Sequence, residues 1–213
     1  MKKKIAIIGG GAAGLTAAIA AARNDAEVTI YERMDRVGKK ILATGNGRCN
    51  LTNINTQIIN YHGNTPNFVE KAFEFFGVQE TLSFFEDIGI YPYIDEEGKV
   101  YPYSLQASSV LDTLRYEVKR LGVTELTNCK IIELIRNKEA FIIADIDGNK
   151  YNAHSVIVCC GGKSSPQLGS DGSGYKLIQK FGHKLIMPFP ALVQLKVNSK
   201  KLKRIKGIKI QGK

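Results

Sequence analysis

The chain has 213 residues, 44% of them hydrophobic and 23% charged, and carries 30 Lys and Arg against 20 Asp and Glu for a net charge of +10. That length holds one large domain or one and a half ordinary ones, and the apolar fraction is that of a globular core. Four cysteines (Cys49, Cys129, Cys159, Cys160) without a C-x-x-C pair exclude a disulfide framework, and three scattered histidines (His62, His154, His183) exclude a metal-ligand spacing.

The charge is uneven. Residues 196–213 hold Lys196, Lys200, Lys201, Lys203, Arg204, Lys206, Lys209 and Lys213 and no acid, so the basic balance is a property of the tail. A charge run of this kind reads as a solvated face or a strand seen without its partners, and no nucleic acid is expected as a partner. The cysteine usage favours a reducing, cytoplasmic setting.

In chain order, Ile5 to Ile8 form an apolar strand, Ala12 to Arg23 an alanine-rich helix, and Val28 to Tyr31 a second strand closed by Glu32. Between strand and helix, Gly9, Gly11 and Gly14 give the G-x-G-x-x-G spacing. Gly9 permits the tight turn, Gly11 lets a pyrophosphate reach the backbone, and Gly14 lets the helix pack closely on the sheet. The unpaired N–H groups at the helix start face the phosphates. Glu32 lies where a carboxylate accepts hydrogen bonds from a ribose. Lysines followed by an uncharged stretch imitate a signal peptide or a short membrane helix. Three consecutive glycines interrupt that stretch, each weakening a helix by about 1 kcal/mol relative to alanine, and the following strand completes a βαβ unit. No membrane association is expected.

A long turn-rich segment follows, RMDRVGKKILATGNGRCNLTN. Thr65 to Phe76 and Gln79 to Ile88 have helical periodicity, with Phe68, Phe73, Phe76, Leu82 and Phe85 as expected core anchors. Tyr91 to Tyr103 reads as a hairpin around Asp95-Glu96-Glu97-Gly98. Ala107 to Leu121 is an amphipathic helix with Val110, Leu111, Leu114, Val118 and Leu121 on one face. Strands are expected at Thr124 to Leu126, Lys130 to Ile135, Ala140 to Asp145 and Tyr151 to Cys159, the last entering Gly161-Gly162. A short helix spans Gly172 to Phe181, and Pro188 and Pro190 break Lys184 to Val197 into an extended crossing. A βαβ start, a helical excursion, a β-meander and a glycine-ended strand make an α/β chain. Its plan is a Rossmann-like domain with a parallel sheet plus an antiparallel β-meander, as in flavoproteins with two dinucleotide-binding domains.

The segments GGGAAGLTAA, GKKILATGNGRCNLTN, VYPYSLQASSVLDTLR and GGKSSPQLGSDGSGYKLIQKFGH carry a resemblance to the BaiN-like family of FAD flavoproteins, from residue 2 to about residue 197. Members are described as aminoacetone oxidases or as reductases of unsaturated 3-oxo bile acids. The resemblance implies that Gly9, Gly11, Ala13 and Gly14, with Ala12 beside them, hold the FAD pyrophosphate, and that Glu32, followed by Arg33, holds the adenosine ribose. It places Lys39, Lys40 and the loop Gly45, Asn46, Gly47, Arg48, Cys49 and Asn50 along the ribityl chain and flavin. It brings the Cys129-Lys130-Ile131 backbone to the adenine, and Cys160, Gly161 and Gly162 close to the cofactor. Related flavoproteins commonly have Ala-Thr-Gly-Gly where this chain has Cys159-Cys160-Gly161-Gly162. Cysteine is small enough to keep the backbone role, but any threonine hydroxyl contact is lost.

From the residues alone, Lys39, Lys40 and Arg48 supply positive charge for a phosphate or an anionic flavin, against a plain surface-loop alternative. Cys49, Cys159 and Cys160 read as packed thiols. The functional expectation is an FAD-dependent oxidoreductase transferring hydride between a small organic substrate and flavin N5, with no catalytic acid or base assigned. Residues 1–191 are expected to be the N-terminal portion of the FAD-binding domain and 192–213 the start of a truncated inserted substrate domain. The alternatives are an NAD(P)-binding Rossmann protein, against which the Gly38–Asn53 loop argues, and a non-catalytic fragment with a basic tail.

Overall fold

A computed structural model describes residues 1–63, 65–191, 193 and 198. The extended Val197 end, the basic tail at 196–213 and the expected second domain at 192–213 therefore fall almost wholly outside the described residues.

Strand β1 (Lys4–Ile8), helix α1 (Ala12–Arg23) and strand β2 (Glu27–Tyr31) form the expected βαβ unit. Its second strand pairs in parallel with the first, Ile7 opposite Ile30. The chain then runs through a kinked stretch at Ile41–Gly47, short β3 (Thr52–Asn53), α2 (Glu70–Phe75) and α3 (Val78–Asp87). The hairpin of β4 (Pro92–Ile94) and β5 (Lys99–Pro102) follows, closed by Asp95, whose Oδ1 accepts the N–H groups of Glu97 and Lys99. Helix α4 (Ala107–Arg120) leads to β6 (Thr124–Leu126), β7 (Ile131–Arg136), β8 (Phe141–Asp145), β9 (Lys150–Ala153), β10 (Ser155–Val158) and α5 (Ser173–Gln179).

Three layers result. The central sheet has the order β10-β1-β2-β6, all parallel. Side chains alternate along a strand, and β1 shows the consequence. Ile7 packs with Leu15, Ile19, Leu114 and Val118 on the helical side, whereas Ala6 and Ile8 pack with Ile131, Leu134 and Ile143 on the other. That second side is the antiparallel sheet β7-β8-β9. Burial on both faces explains why β1 is a continuous apolar run.

Two expectations are corrected. Tyr151 to Cys159 is two strands. β9 pairs with β8 in the meander, and β10 pairs with β1 in the central sheet. The break is at His154, whose N–H donates to the Lys4 carbonyl at 2.9 Å while its Nδ1 accepts the Lys4 N–H at 2.9 Å. The inward residues change phase there, from Tyr151 and Ala153 to Val156 and Val158, and the polar pair His154-Ser155 is the only local sign of it. Phe68 and Phe76, expected in the core, are 75% and 54% exposed. Their segment is short, and its aromatic contacts are local, Tyr61 on Phe73 and Phe76 on Phe84.

Candidate dinucleotide site

The carboxyl ends of β1, β2 and β10 open onto one cleft of about 570 Å³, within the range of roughly 300–1,000 Å³ usual for ligand sites. It lies where open α/β sheets place their ligands. Three backbone bonds fix its floor. Gly9 N–H donates to Tyr31 O at 2.8 Å, Cys159 N–H to Ile8 O at 2.7 Å, and Gly38 N–H to Gly10 O at 2.8 Å. Gly9 has φ +102°, and a Cβ there would stand 2.6 Å from the Cys159 carbonyl oxygen. Only glycine fits that crossing.

The three motif glycines divide their work as the spacing suggests. Gly11 faces open space, with no atom within 4 Å of an added Cβ, so its backbone is approachable from the cleft. Gly14 is buried in the first turn of α1, where a Cβ would run into the Gly9 carbonyl. It serves helix packing and does not line the cleft. Ala12 and Ala13 do, at the helix start, where no acidic side chain competes for the unpaired N–H groups.

Glu32 is buried at 8% exposure. Its Oε2 accepts the Gly10 N–H at 2.7 Å and its Oε1 the Met34 N–H at 2.8 Å. Each carboxylate oxygen has two lone pairs, so acceptor capacity toward the cleft remains. Five cations line the same cleft: Arg33, Arg36, Lys39, Lys40 and Lys130. Lys39 pairs with Asp35 at 2.5 Å, and Lys40 donates to Ser164 Oγ at 2.6 Å. Arg33 pairs with Asp171 and donates through Nη2 to Pro166 O at 3.2 Å. Among the described residues, Arg33 Nε is the buried side-chain nitrogen or oxygen left without a partner. An open glycine turn, a cationic wall and an orphaned N–H are what an anionic dinucleotide would satisfy.

Of the residues singled out from sequence, the cleft gathers Gly9, Gly11, Ala12, Ala13, Glu32, Arg33, Lys39, Lys40, Lys130, Ile131, Cys160 and Gly161. Gly162 stands behind the wall, its carbonyl accepting Ser170 Oγ–H at 3.2 Å. Gly45, Asn46, Gly47, Arg48 and Cys49 do not line the cleft; Ile41 and Thr44 of the same loop do. The loop turns away because Gly45, Asn46, Gly47 and Cys49 have positive φ, and because the Arg48 guanidinium lies 4.2 Å over the Tyr101 ring. Cys49 is a packed thiol, raised above its ordinary pKa by burial. Burial also raises Cys129 and Cys159, and it pushes Cys160 up to about 11, with Cys159, Glu32 and Asp171 adding to it. These thiols stay protonated near neutral pH.

Sequence reasoning missed the far wall, Leu168, Gly169 and Ser170. They belong to a segment carried over the cleft by its bonds to Arg33 and Lys40. Asp171, at the end of that segment, would be raised by burial. Its hydrogen bond from Ser173 and the Arg33 guanidinium outweigh that and bring it down to about 2. No helix among the described residues is long and apolar enough to cross a membrane.

Known proteins resemble this chain in sequence and in fold. A 3-dehydro-bile acid delta(4,6)-reductase of Clostridium scindens is 46% identical over 212 residues, covering 99% of this chain and 51% of its own length. A ribosomal RNA dihydrouridine synthase of Haemophilus influenzae is 30% identical over 190 residues, 88% of this chain and 47% of its own. The chain thus spans about half the length of the curated relatives it matches. Two solved structures share the fold. An open-conformation flavocytochrome c3 fumarate reductase matches 84% of this chain and 40% of its own at TM-score 0.58 and 16% identity. Thermovibrio ammonificans THI4 matches 86% and 64% at TM-score 0.55 and 14% identity. The sequence model of the HI0933-like protein Rossmann domain covers residues 3–212, and the chain belongs to that family, as its resemblance to the BaiN-like flavoproteins implies.

Proposed function

We propose that this chain is the FAD-binding part of an oxidoreductase that moves hydride between a small organic substrate and flavin N5. The observation that carries the reading is the cleft itself, continuous from Glu32 past the open Gly11 turn to Cys160 and Gly161. Bound FAD would supply the hydride chemistry at its N5. The chain's own residues do the binding. Gly11, Ala12 and Ala13 offer backbone to the pyrophosphate, Glu32 accepts from the adenosine ribose, and Lys39, Lys40 and Arg33 balance phosphate charge. Lys130 and Ile131 present backbone to the adenine, and Gly161 allows close approach where β10 ends. Gly45 to Cys49 lie farther along the chain's path and stand in this reading as the flavin-end boundary, where Arg48 is held by Tyr101.

The relatives' names suggest the substrate class. One describes reduction of the 4,6 double bonds of a 3-oxo bile acid and the other formation of dihydrouridine. Both saturate a C=C bond conjugated to a carbonyl, which is the class proposed for the whole protein. The higher identity favours a small molecule. A second reading, an RNA substrate, is supported by the dihydrouridine synthase relative and by the eight basic residues in 196–213. Residues 1–191 as the cofactor domain, with a substrate domain opening at 192–213, fit relatives of about twice this length. A cytoplasmic setting fits the four free cysteines.

Titration of the purified protein with FAD, followed by quenching of flavin fluorescence, tests the cofactor. Saturable binding is expected. Thermal stabilisation by NADH with none by FAD would overturn the assignment. With the full-length protein, turnover of a 3-oxo-4-ene steroid is expected, and turnover of ribosomal RNA alone would select the second reading.

A further inference from the structure

The segment from Lys163 to Gly172 is a strap laid across the cleft. It is folded on itself by the Ser165–Ser170 bridge, and Gly161 and Gly172, both with positive φ, flank it. Two side chains from the opposite wall hold it. Lys40 Nζ reaches Ser164 Oγ at 2.6 Å and Ser170 Oγ at 3.4 Å. Arg33 reaches Asp171 through Nη1 and the Pro166 carbonyl through Nη2, the latter at 3.2 Å.

Arg33 is the more informative of the two. A guanidinium presents its N–H donors in a rigid fork. Here the strap takes the two terminal nitrogens, and the plane of the group is thereby fixed. Nε is left buried, without a partner, in a residue that lines the cleft. Gly169 is the strap residue beside it: an added Cβ would stand 3.9 Å from Arg33 Nε and 3.4 Å from Met34 Cγ. Asp171 is itself preset, since its Oδ1 accepts the Ser173 N–H at 3.0 Å and leaves Oδ2 for Arg33. The carboxylate stays ionised well below neutral pH, so the clamp persists under ordinary conditions. A buried charged donor without an acceptor is unfavourable, and a ligand oxygen placed there is strongly favoured.

We propose that Asp171 is a positioning residue for the dinucleotide: its ion pair fixes the Arg33 guanidinium so that the Nε–H donates to an acceptor oxygen of bound FAD. The proposal rests on the FAD reading above. Asp171 does not touch the ligand. It acts through Arg33, and that is what separates it from a residue that merely shapes the strap.

The test is a double-mutant cycle on FAD affinity, read by flavin fluorescence, with wild type, Asp171→Asn, Arg33→Lys and the double variant. Lysine keeps a cation for Asp171 but has no Nε–H. Each single change is expected to weaken binding about tenfold or more, as loss of a hydrogen bond to a charged group does. The double variant is expected to bind within about threefold of Arg33→Lys, because residues acting through one contact are non-additive. Unchanged affinity in either single variant, or a double variant showing the full product of both losses, overturns the proposal. Should Asp171→Asn fail to fold by circular dichroism, Arg33→Lys decides alone, and unchanged affinity there overturns it. Folded wild type that does not bind FAD defeats the FAD reading and this proposal together. Wild-type binding with additive losses defeats the positioning role only.

Discussion

Glu32 Oε2 accepts the Gly10 backbone N–H at 2.7 Å, tying the carboxylate that closes β2 to the glycine turn that closes β1. The same side chain accepts the Met34 N–H at 2.8 Å. One buried carboxylate therefore holds two loops of the cleft, in addition to the ribose contact proposed for it.

Glu32→Ala is accordingly expected to lower stability in addition to FAD affinity. It strands two backbone donors, each worth roughly 1–3 kcal/mol when buried unpaired. Glu32→Gln keeps an acceptor for one of them and should melt closer to wild type while still binding FAD more weakly. Thermal melts and FAD titrations on the three proteins check this. Equal FAD affinity in all of them would remove Glu32 from the site.

Gly11 and Gly14 separate binding from folding. Gly11→Val meets no atom of the protein within 4 Å at its Cβ, so the fold should survive and FAD binding should be lost. At Gly14 two effects oppose each other. Alanine gains about 1 kcal/mol of helix propensity, but its Cβ runs into the Gly9 carbonyl, which is backbone and cannot rotate away. Overpacking costs about 1–3 kcal/mol where side chains can adjust, and more is expected here. Gly14→Ala should therefore melt lower than wild type, and Gly11→Val should not. A reversed order in the melts would contradict the division of roles.

The difference between these glycines was legible in the sequence, because the spacing sits between an apolar strand and an alanine-rich helix. Helix α4 was legible for the same reason, its apolar residues recurring on one face. The strap was not. Arg33 and Asp171 are 138 residues apart, and a polar turn-rich stretch gives no sign of which distant cation it will meet. Gly45 to Cys49 show the reverse case. Their turn character was plain, but its direction depends on Arg48 stacking over Tyr101, 53 residues later. The break at His154 left only a one-residue slip of phase, from Tyr151 and Ala153 to Val156 and Val158, and two short strands with the same period hide so small a slip.

Cys160 gives a pH-dependent readout of the cleft wall. With its pKa pushed up to about 11, first by burial, only about one molecule in a thousand carries the reactive thiolate at pH 8. Iodoacetamide should label Cys160 slowly in the native protein. The rate should climb about tenfold per pH unit until near pH 11, followed by mass spectrometry of the peptide. Rapid labelling at pH 7, in folded protein, would show that the β10 end is not packed as described.

Asp171 gives the opposite sign. Its folded-state pKa, about 2, lies below the unfolded reference of 3.8. A lowered carboxylate pKa means that the folded state favours the ionised form. The stabilisation is thus fully present above pH 4 and is lost as pH falls through the window from about 4 to about 2. Asp171→Asn should therefore be less stable than wild type at pH 7, and the difference should hold to about pH 5 and shrink below pH 4. Denaturant melts of both proteins at pH 7, 5, 4 and 3 measure it, with the gap between midpoints as the readout. A gap that stays constant down to pH 3 would mean that the carboxylate charge contributes nothing and that the strap is held by Lys40 and the Pro166 carbonyl alone. A gap that instead widens toward acid would require a raised pKa, which the Ser173 and Arg33 hydrogen bonds do not permit.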